Sequence, residues 1–246
     1  MNRGVPTVAP CACQVAARTA YLLKRAEFPP QYDHCTLDNF DLKFPSATQT
    51  LNRALIAARK FVEQYPLEKE GMLLRGSCGT GKTHLAIAIL KELIQKKKVT
   101  CLFRGYSALL KQIQATYSRQ VIADEDTGIV LTEYSILRDV TEVDLLVLDD
   151  LGAERSSEWA LSMLYHVINE RYNAHLTTII TTNLPWDEPQ GTPPIEKMTP
   201  AQRAMKIETL RDRISERTYS RITEMCPIRL ELVAGDYRKI RGARIQ

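Results

Sequence analysis

Residues 76–83 of the chain read GSCGTGKT, a glycine-rich stretch that ends in a lysine and a threonine. The apolar run Gly71-Met-Leu-Leu-Arg75 precedes it, and His84-Leu-Ala-Ile-Ala-Ile-Leu90 follows it. This Gly-x4-Gly-Lys-Thr spacing, between a predicted strand and a predicted helix, is typical of a loop that binds phosphate. Its glycines let backbone N–H groups turn inward around phosphate oxygens, and the helix N-terminus adds partial positive charge.

The individual residues of this loop have separate predicted roles. Lys82 is expected to reach the β- and γ-phosphates of a nucleotide, and Thr83 to offer its hydroxyl to Mg²⁺. A chance glycine-rich turn is the alternative, and the flanking strand and helix argue against it. The predicted binding residues are Gly76, Ser77, Cys78, Gly79, Thr80, Gly81, Lys82, Thr83 and His84.

Short apolar runs alternate with helical patterns along the chain. Helices are predicted from about Gln14 to Arg25 and from Ala47 to Gln64. The strand-like runs are Met72–Leu74, Val99–Phe103, Leu145–Leu148, Thr177–Thr182 and Ile228–Leu232. This alternation predicts an α/β fold in which helices cover both faces of a parallel sheet.

Composition excludes several classes of protein. The 246 residues are 44% hydrophobic with a net charge of +4, which is typical of a globular chain with one core and only a weak overall basic character. No apolar run is long enough to span a membrane, and no secretory signal is recognisable, so a cytosolic location is expected. Six cysteines in a chain of this size do not resemble a secreted disulfide framework, and most are expected to be reduced.

Two acidic residues end the apolar run Val143-Asp-Leu-Leu-Val-Leu-Asp-Asp150. Ligands of open parallel sheets bind at the carboxyl ends of the strands, where the phosphate loop also lies. Asp149 is therefore expected to hold Mg²⁺, and Asp150 to face the γ-phosphate and orient the attacking water. A simple strand-terminating turn is the alternative, but adjacent like charges are costly without a cation.

Asn183 follows the threonine-rich run 177–182. Its amide could donate to the γ-phosphate and hold the water in line, or it could cap the turn before Pro185. The first interpretation is favoured because of the phosphate loop and the paired acids.

A helix is predicted from Ala201 to Met225. Its apolar positions are expected to face the core, and they are Ile207, Leu210, Ile214, Ile222 and Met225. Arg213, Arg217 and Arg221 recur every four residues beside this stripe. They could be neutralised by acids on the same helix, or one of them could project into the nucleotide site of a neighbouring subunit.

Five motifs in this order, GSCGTGKTH, VDLLVLDDLGAE, TTIITTN, SERTYSRI and GDYR, give a specific family resemblance. Over about residues 27–246, the chain resembles AAA+ helicase loaders of the DnaC-like type, with the IstB-like transposition ATPases as close relatives. The resemblance implies a P-loop ATPase with a five-stranded parallel sheet, no separate helical lid domain, and ATP and Mg²⁺ as cofactors. It also implies self-association into a spiral or ring.

The resemblance also assigns residue roles. Asp149 and Asp150 match the Walker B pair, and Asn183 matches sensor 1. Arg221 matches the arginine finger, with Arg217 as the second choice, and Arg238 matches sensor 2. The second Walker B acid is Asp rather than the commoner Glu, and the 186–206 segment is longer than usual for the family.

Loaders of this type often carry a cysteine-rich zinc module ahead of the ATPase core. Only Cys11 and Cys13 stand in that region, with Cys35 further along, and two cysteines are half of a tetrahedral zinc site. Either the module is shortened or these cysteines have no metal role. The resemblance divides the chain into residues 1–30, an arm and helix that dock a helicase, and residues 31–246, the ATPase core.

The resemblance implies a grip on single-stranded DNA between residues 107 and 140, with Lys111, Arg119 and Arg138 as phosphate contacts. The first hypothesis is therefore an ATP-dependent loader of a hexameric replicative DNA helicase, acting on single-stranded DNA and not at a membrane. The second is a transposition helper ATPase that acts on duplex target DNA. A small-molecule kinase is the third, but no acceptor pocket or arginine lid is recognisable.

Overall fold

A single parallel sheet organises the protein, whose computed structural model describes residues 11–117, 130–187, 199 and 206–239. The strands are β1 (Met72–Arg75), β2 (Cys101–Gly105), β3 (Leu145–Asp149), β4 (Thr177–Thr182) and β5 (Ile228–Glu231). Their order in the sheet is β2-β3-β4-β1-β5, and every neighbouring pair is parallel. The α/β class and the five-stranded parallel sheet predicted from the sequence are confirmed.

Helices cover both faces of this sheet. They are α1 (Ala12–Arg25), α2 (Gln49–Gln64), α3 (Lys82–Lys97), α4 (Tyr106–Thr116), α5 (Glu133–Glu142), α6 (Glu158–Asn173), α7 (Leu210–Ile214) and α8 (Glu216–Met225). Side chains alternate along each strand, so Leu74 joins the apolar cluster with α1, α2 and α3, whereas Leu73 joins the cluster with α4 to α8. None of the described helices is long and apolar enough to cross a membrane.

The threonine-rich strand β4 lies in the middle of the sheet, and all six of its residues are buried. A buried hydroxyl is costly unless it has a hydrogen-bond partner. The Thr182 hydroxyl donates to the Leu151 carbonyl at 2.8 Å, and the Thr177 hydroxyl donates to the Lys69 carbonyl at 3.2 Å. These bonds tie β4 to the segments that follow β3 and precede β1.

The predicted helix from Ala201 to Met225 is confirmed only in part, since residues 210–214 and 216–225 are helical. Residues 201–205 lie outside the described residues, and the chain becomes helical only at Leu210, because Thr209 and Asp212 form a reciprocal capping box. Ser215, with a φ of 74°, then separates α7 from α8. Ile207 precedes the cap and is 58% exposed, so its predicted place in the core is also wrong.

Helix α1 packs directly on the sheet and on α3. Leu22 and Ala26 are buried in the core, and the Phe103 N–H of β2 donates to the Ala26 carbonyl at 2.8 Å. Tyr21, on the opposite side, is 59% exposed. The helix therefore has one face fixed to the core and one face open.

Four of the six cysteines, Cys35, Cys78, Cys101 and Cys226, are free thiols, as expected for most of them. Cys11 and Cys13 form a disulfide with each other, so these two are the exception. Neither sulfur is then available as a thiolate, so the disulfide also argues against the half zinc site considered from the sequence.

Arg171 of α6 is fully buried and links three segments of the core. Its guanidinium donates to the Thr178 hydroxyl at 3.0 Å and to the carbonyls of Val140, Val143 and Thr177 at 2.9, 2.8 and 2.6 Å. These acceptors lie on α5, before β3 and on β4. A planar fork of donors satisfies all of them from one side chain.

We expect Arg171→Ala to lower the free energy of unfolding by about 3 kcal/mol or more, because it empties a buried volume and removes the donor to three carbonyls and to the Thr178 hydroxyl. Arg171→Lys keeps the charge but not the fork, so we expect it to be destabilised as well. Urea unfolding followed by circular dichroism measures both. Exposed Arg155→Ala is the control, with a change of about 0.5 kcal/mol or less; equal losses in the control and in Arg171→Ala would contradict this role.

Candidate nucleotide site

The phosphate loop connects β1 to α3, and two of its glycines have left-handed backbone conformations. Gly79 has a φ of 75° and Gly81 a φ of 96°. A Cβ at position 79 would lie 1.8 Å from Asp236 Oδ1, and one at position 81 would lie 2.7 Å from the Phe40 ring. Only glycine fits these two positions, since a side chain would suffer both backbone strain and a collision.

Helix α3 begins at this loop without a side-chain cap. Its N-cap residue is Gly81, whereas α2, α5 and α6 begin with a hydroxyl side chain that accepts from the first turn, namely that of Thr48, Thr132 and Ser157. The first N–H groups of α3 therefore have no side-chain acceptor from the cap. Such a helix start favours an anion.

Lys82 is only 7% exposed, and its ammonium donates to the carbonyls of Gly76 and Ser77, both at 2.9 Å. Burial lowers the pKa of this amine, while the nearby carboxylates of Asp150 and Asp149 favour its charged form. The loop carbonyls hold the ammonium inside the loop, next to the N–H groups of α3.

The side chains of Thr83 and Asp149, which the sequence predicts as ligands of one magnesium ion, contact each other. The Thr83 hydroxyl lies 2.9 Å from Asp149 Oδ1 and 3.2 Å from Oδ2, and the Thr181 hydroxyl donates to Oδ1 at 2.6 Å. Burial raises the pKa of Asp149, and the two hydroxyl donors oppose this effect. A hydroxyl beside a buried carboxylate is the oxygen donor set that Mg²⁺ prefers.

Asp150 and Asn183 form a second polar pair at the same edge of the sheet. Asp150 has a φ of 58°, and its backbone N–H donates to the Thr181 hydroxyl at 2.9 Å. The Asn183 amide donates to Asp150 Oδ1 at 2.8 Å. Asn183 is therefore directed to the neighbouring acid rather than to the turn before Pro185.

All of these groups line one open cavity of about 640 Å³. It also receives side chains that sequence patterns did not single out as site residues, from the irregular segment 31–44, from α2 and from the chain after β5. They are Gln31, Tyr32, His34, Cys35, Asn39, Phe40, Asp41, Phe44, Leu51 and Tyr237. Most of them lie in segment 32–45, which follows neither a helical nor a strand period and therefore gives no local signal of a role.

Arg238 also lines the cavity, as predicted. Its side chain is 71% exposed and its Nε lies 3.4 Å from Asp236 Oδ1. The backbone beside it is fixed to the phosphate loop, because the Tyr237 N–H donates to the Gly79 carbonyl at 3.1 Å. Of the loop residues, Gly79, Thr80, Gly81, Lys82, Thr83, Cys78 and His84 line the cavity directly.

The three spaced arginines have different surroundings. Arg213 pairs with Glu208, its Nε lying 3.0 Å from Glu208 Oε1, as the salt-bridged alternative predicted. Arg217 and Arg221 instead stack on the Tyr165 ring of α6, at 4.6 and 5.0 Å from its centre, and lie outside the cavity lining. The Tyr165 hydroxyl accepts from Arg217 at 3.0 Å.

The expected DNA contacts fall partly outside the described residues, where Arg119 lies. Lys111 on α4 and Arg138 on α5 are both exposed. The two helices pack against each other, so both cations belong to one helical layer of the fold.

We expect Lys82→Ala to weaken nucleotide binding by about ten- to a hundredfold, because one charge-assisted bond to phosphate contributes about 1.5–3 kcal/mol. Titration with a fluorescent ATP analogue measures the affinity. Lys60→Ala, an exposed lysine of α2, is the matched control and should bind normally. Unchanged affinity in Lys82→Ala would show that this lysine serves only the loop carbonyls.

Comparison with known proteins agrees with this geometry. The family model for the IstB-like ATP binding protein matches residues 12–202. The replicative helicase loader DnaC of Escherichia coli K12 is 27% identical over 164 residues, which is 67% of this chain and 61% of the relative. An uncharacterised Bacillus subtilis protein, YqaM, is 25% identical over 186 residues, 72% of this chain and 55% of the relative. The chain thus spans less than two thirds of the length of these curated relatives.

Solved structures with similar folds include a helicase loader, in agreement with the sequence comparison. The crystal structure of the DnaC helicase loader superposes with a TM-score of 0.61 at 31% identity, covering 83% of this chain and 99% of that structure. DnaA from Aquifex aeolicus bound to AMPPCP has a TM-score of 0.58 at 20% identity, covering 89% of this chain and 56% of that structure, and shares the fold. Since the family model covers more than half of the chain, and the fold and the phosphate loop agree with it, this protein belongs to the family of IstB-like ATP-binding proteins.

Proposed function

We propose that this protein is an ATP-hydrolysing loader that delivers a hexameric replicative DNA helicase onto single-stranded DNA. The observation that carries the proposal is the convergence of the phosphate loop, the Thr83–Asp149 contact and the Asp150–Asn183 pair on one cavity. The likeness to the DnaC helicase loader structure, at 31% identity over nearly all of that structure, supports the choice of partner.

In this proposal the residues of the cavity have separate roles in nucleotide binding and hydrolysis. Lys82 exchanges its bonds to the loop carbonyls for phosphate oxygens, and the N–H groups at the start of α3 bind the same phosphates. Thr83 and Asp149 would hold Mg²⁺, which neutralises phosphate charge when bound. Asp150 orients the attacking water, and the Asn183 amide keeps that carboxylate in place.

Arg238 is proposed as the cis sensor of the nucleotide, because it lines the cavity of its own subunit and is free to swing on an exposed side chain. Arg221 is proposed as the finger that completes the site of an adjoining subunit, with Arg217 as the second choice. Both lie on α8, away from their own cavity, and both guanidinium groups stack on Tyr165, with Arg217 exposed and Arg221 half-buried.

Nucleic acid is proposed to contact the layer formed by α4 and α5. Lys111 and Arg138 are exposed there, and with Arg119 they supply phosphate contacts. The helicase is proposed to dock on residues 1–30, where α1 leaves Tyr21 exposed. Transposition helpers share the family model, so action on duplex DNA with a transposase is the second candidate.

The loading proposal is tested by chromatography with the replicative helicase of the same host. We expect co-elution with the helicase hexamer that depends on ATP and Mg²⁺ and is lost in Lys82→Ala.

A parallel anisotropy titration at two salt concentrations should show preference for single-stranded over duplex DNA. Lys111→Ala and Arg138→Ala should each reduce the slope of log affinity for DNA against log salt concentration by about one. Lys60→Ala should leave this slope unchanged. Duplex preference together with capture of a transposase would replace the loader with the transposition helper.

The finger proposal is tested by mixing two inactive variants. We expect Arg221→Ala to bind ATP normally as an isolated subunit but to lose assembly-dependent hydrolysis by about 10³-fold. Lys82→Ala loses the nucleotide site but keeps Arg221, whereas Arg221→Ala keeps the nucleotide site. In a mixture of the two variants, Arg221 of a Lys82→Ala subunit should complete the site of an adjoining Arg221→Ala subunit and restore hydrolysis there. Arg211→Ala, an exposed arginine of α7, is the control.

Arg217→Ala is measured in the same way. Recovery in the mixture with Arg217→Ala, together with normal hydrolysis by Arg221→Ala, would move the finger to Arg217. Normal hydrolysis by both variants would remove the finger from α8.

A further inference from the structure

Three side chains with metal-binding atoms lie together on the wall of the nucleotide cavity. One ring nitrogen of His34, one ring nitrogen of His84 and the sulfur of Cys35 all lie within 4.8 Å of one another. His34 is exposed and Cys35 is 1% exposed, yet all three residues line the cavity, which gives an entry path for an ion. The three residues have no part in the proposed hydrolysis of ATP.

Their spacing is close to that of ligands around one ion. In a tetrahedral zinc site the metal lies about 2.3 Å from sulfur and about 2.0–2.1 Å from nitrogen, which places the two ligand atoms about 3.5 Å apart. His34 Nε2 and Cys35 Sγ lie 3.9 Å apart. A side-chain movement of a few tenths of an ångström would bring this pair into coordination.

Hydrogen bonds around the cluster orient its side chains, as the hydrogen-bond partners of ligands do in metal sites. His84 Nε2 lies 3.0 Å from the Thr36 carbonyl, an acceptor, so Nε2 carries the proton and Nδ1 keeps its lone pair. Metal-binding histidines commonly donate their second ring N–H to a carbonyl in this way. Reciprocal bonds between Thr36 and Asn39, at 2.9 and 3.1 Å, fix the turn that carries His34 and Cys35.

We propose that His34, Cys35 and His84 bind a divalent cation of the Zn²⁺ class. Two imidazoles and a thiolate select such an ion over Mg²⁺, which prefers oxygen ligands, so the site is separate from the Thr83–Asp149 contact. On binding, a sulfur–metal bond forms and Cys35 releases its proton to solvent. Three protein ligands leave a fourth position, open to the cavity, for water.

The alternative role for these residues is packing alone. The His84 ring meets the Phe40 ring edge-on at 5.3 Å and the His34 ring at 6.2 Å, and the Cys35 thiol lies in the apolar core. Burial raises the pKa of this thiol to about 11, so it is neutral at pH 7 when no cation is present. A packing role therefore predicts a thiol that does not react with metal.

Cobalt(II) titration of the full chain, without nucleotide and with Zn²⁺ as competitor, separates these roles. We expect one equivalent of Co²⁺ to produce a thiolate-to-cobalt charge-transfer band that Zn²⁺ removes and Mg²⁺ does not. Cys35→Ser should abolish the band. His34→Ala, a change at an exposed position, should keep the fold and weaken Co²⁺ binding by about tenfold or more.

Two controls account for the other thiols. Cys78→Ser removes an exposed thiol in the same cavity and should leave the band unchanged. A double variant, Cys11→Ser with Cys13→Ser, excludes binding by that pair after reduction. The proposal is overturned if wild type gives no charge-transfer band, if the band persists in Cys35→Ser, or if folded His34→Ala binds Co²⁺ as wild type does.

Discussion

The carboxylate of Asp149 joins the three elements on which the candidate site depends. It ends β3, and it accepts hydrogen bonds from Thr83 at the start of α3 and from Thr181 on β4. Parallel pairing of β3 with β4 and of β4 with β1 brings the ends of these strands to one edge, and the carboxylate fixes their side chains there. Burial disfavours the charged form of this carboxylate, so a cation beside it would stabilise the ionised side chain.

The placement of the arginines follows from the same architecture. Helix α8 packs on α6, which lies on the face of the sheet opposite to α3, so its exposed side cannot contribute to the cavity beside α3. Arg217 and Arg221 are therefore available only to a molecule outside the subunit. In the proposed mechanism, a second subunit would therefore be needed to complete the site for hydrolysis.

Local patterns predicted those parts of the fold in which one signal dominates. The strand β4 matches its predicted bounds because an unbroken buried run leaves no competing interpretation, and the phosphate loop is defined by glycines that its backbone requires. The helix from Ala201 to Met225 is predicted with the correct end, but its described part begins later and is broken at Ser215, because apolar periodicity does not register the Thr209–Asp212 capping box. Segment 31–44 could not be assigned to the cavity, since its residues meet the phosphate loop only through long-range packing that no local period encodes.

The contact between the phosphate loop and the chain after β5 has an evolutionary consequence. The Asp236 carboxylate occupies the space where a side chain at Gly79 would begin, and the Tyr237 backbone is bonded to the carbonyl of Gly79. A mutation that adds a side chain at position 79 would therefore displace residue 236, which lies two residues before Arg238, and would also strain a backbone whose φ is 75°. Position 79 is therefore expected to stay glycine in homologues, and position 236 is expected to keep a residue that fits against it.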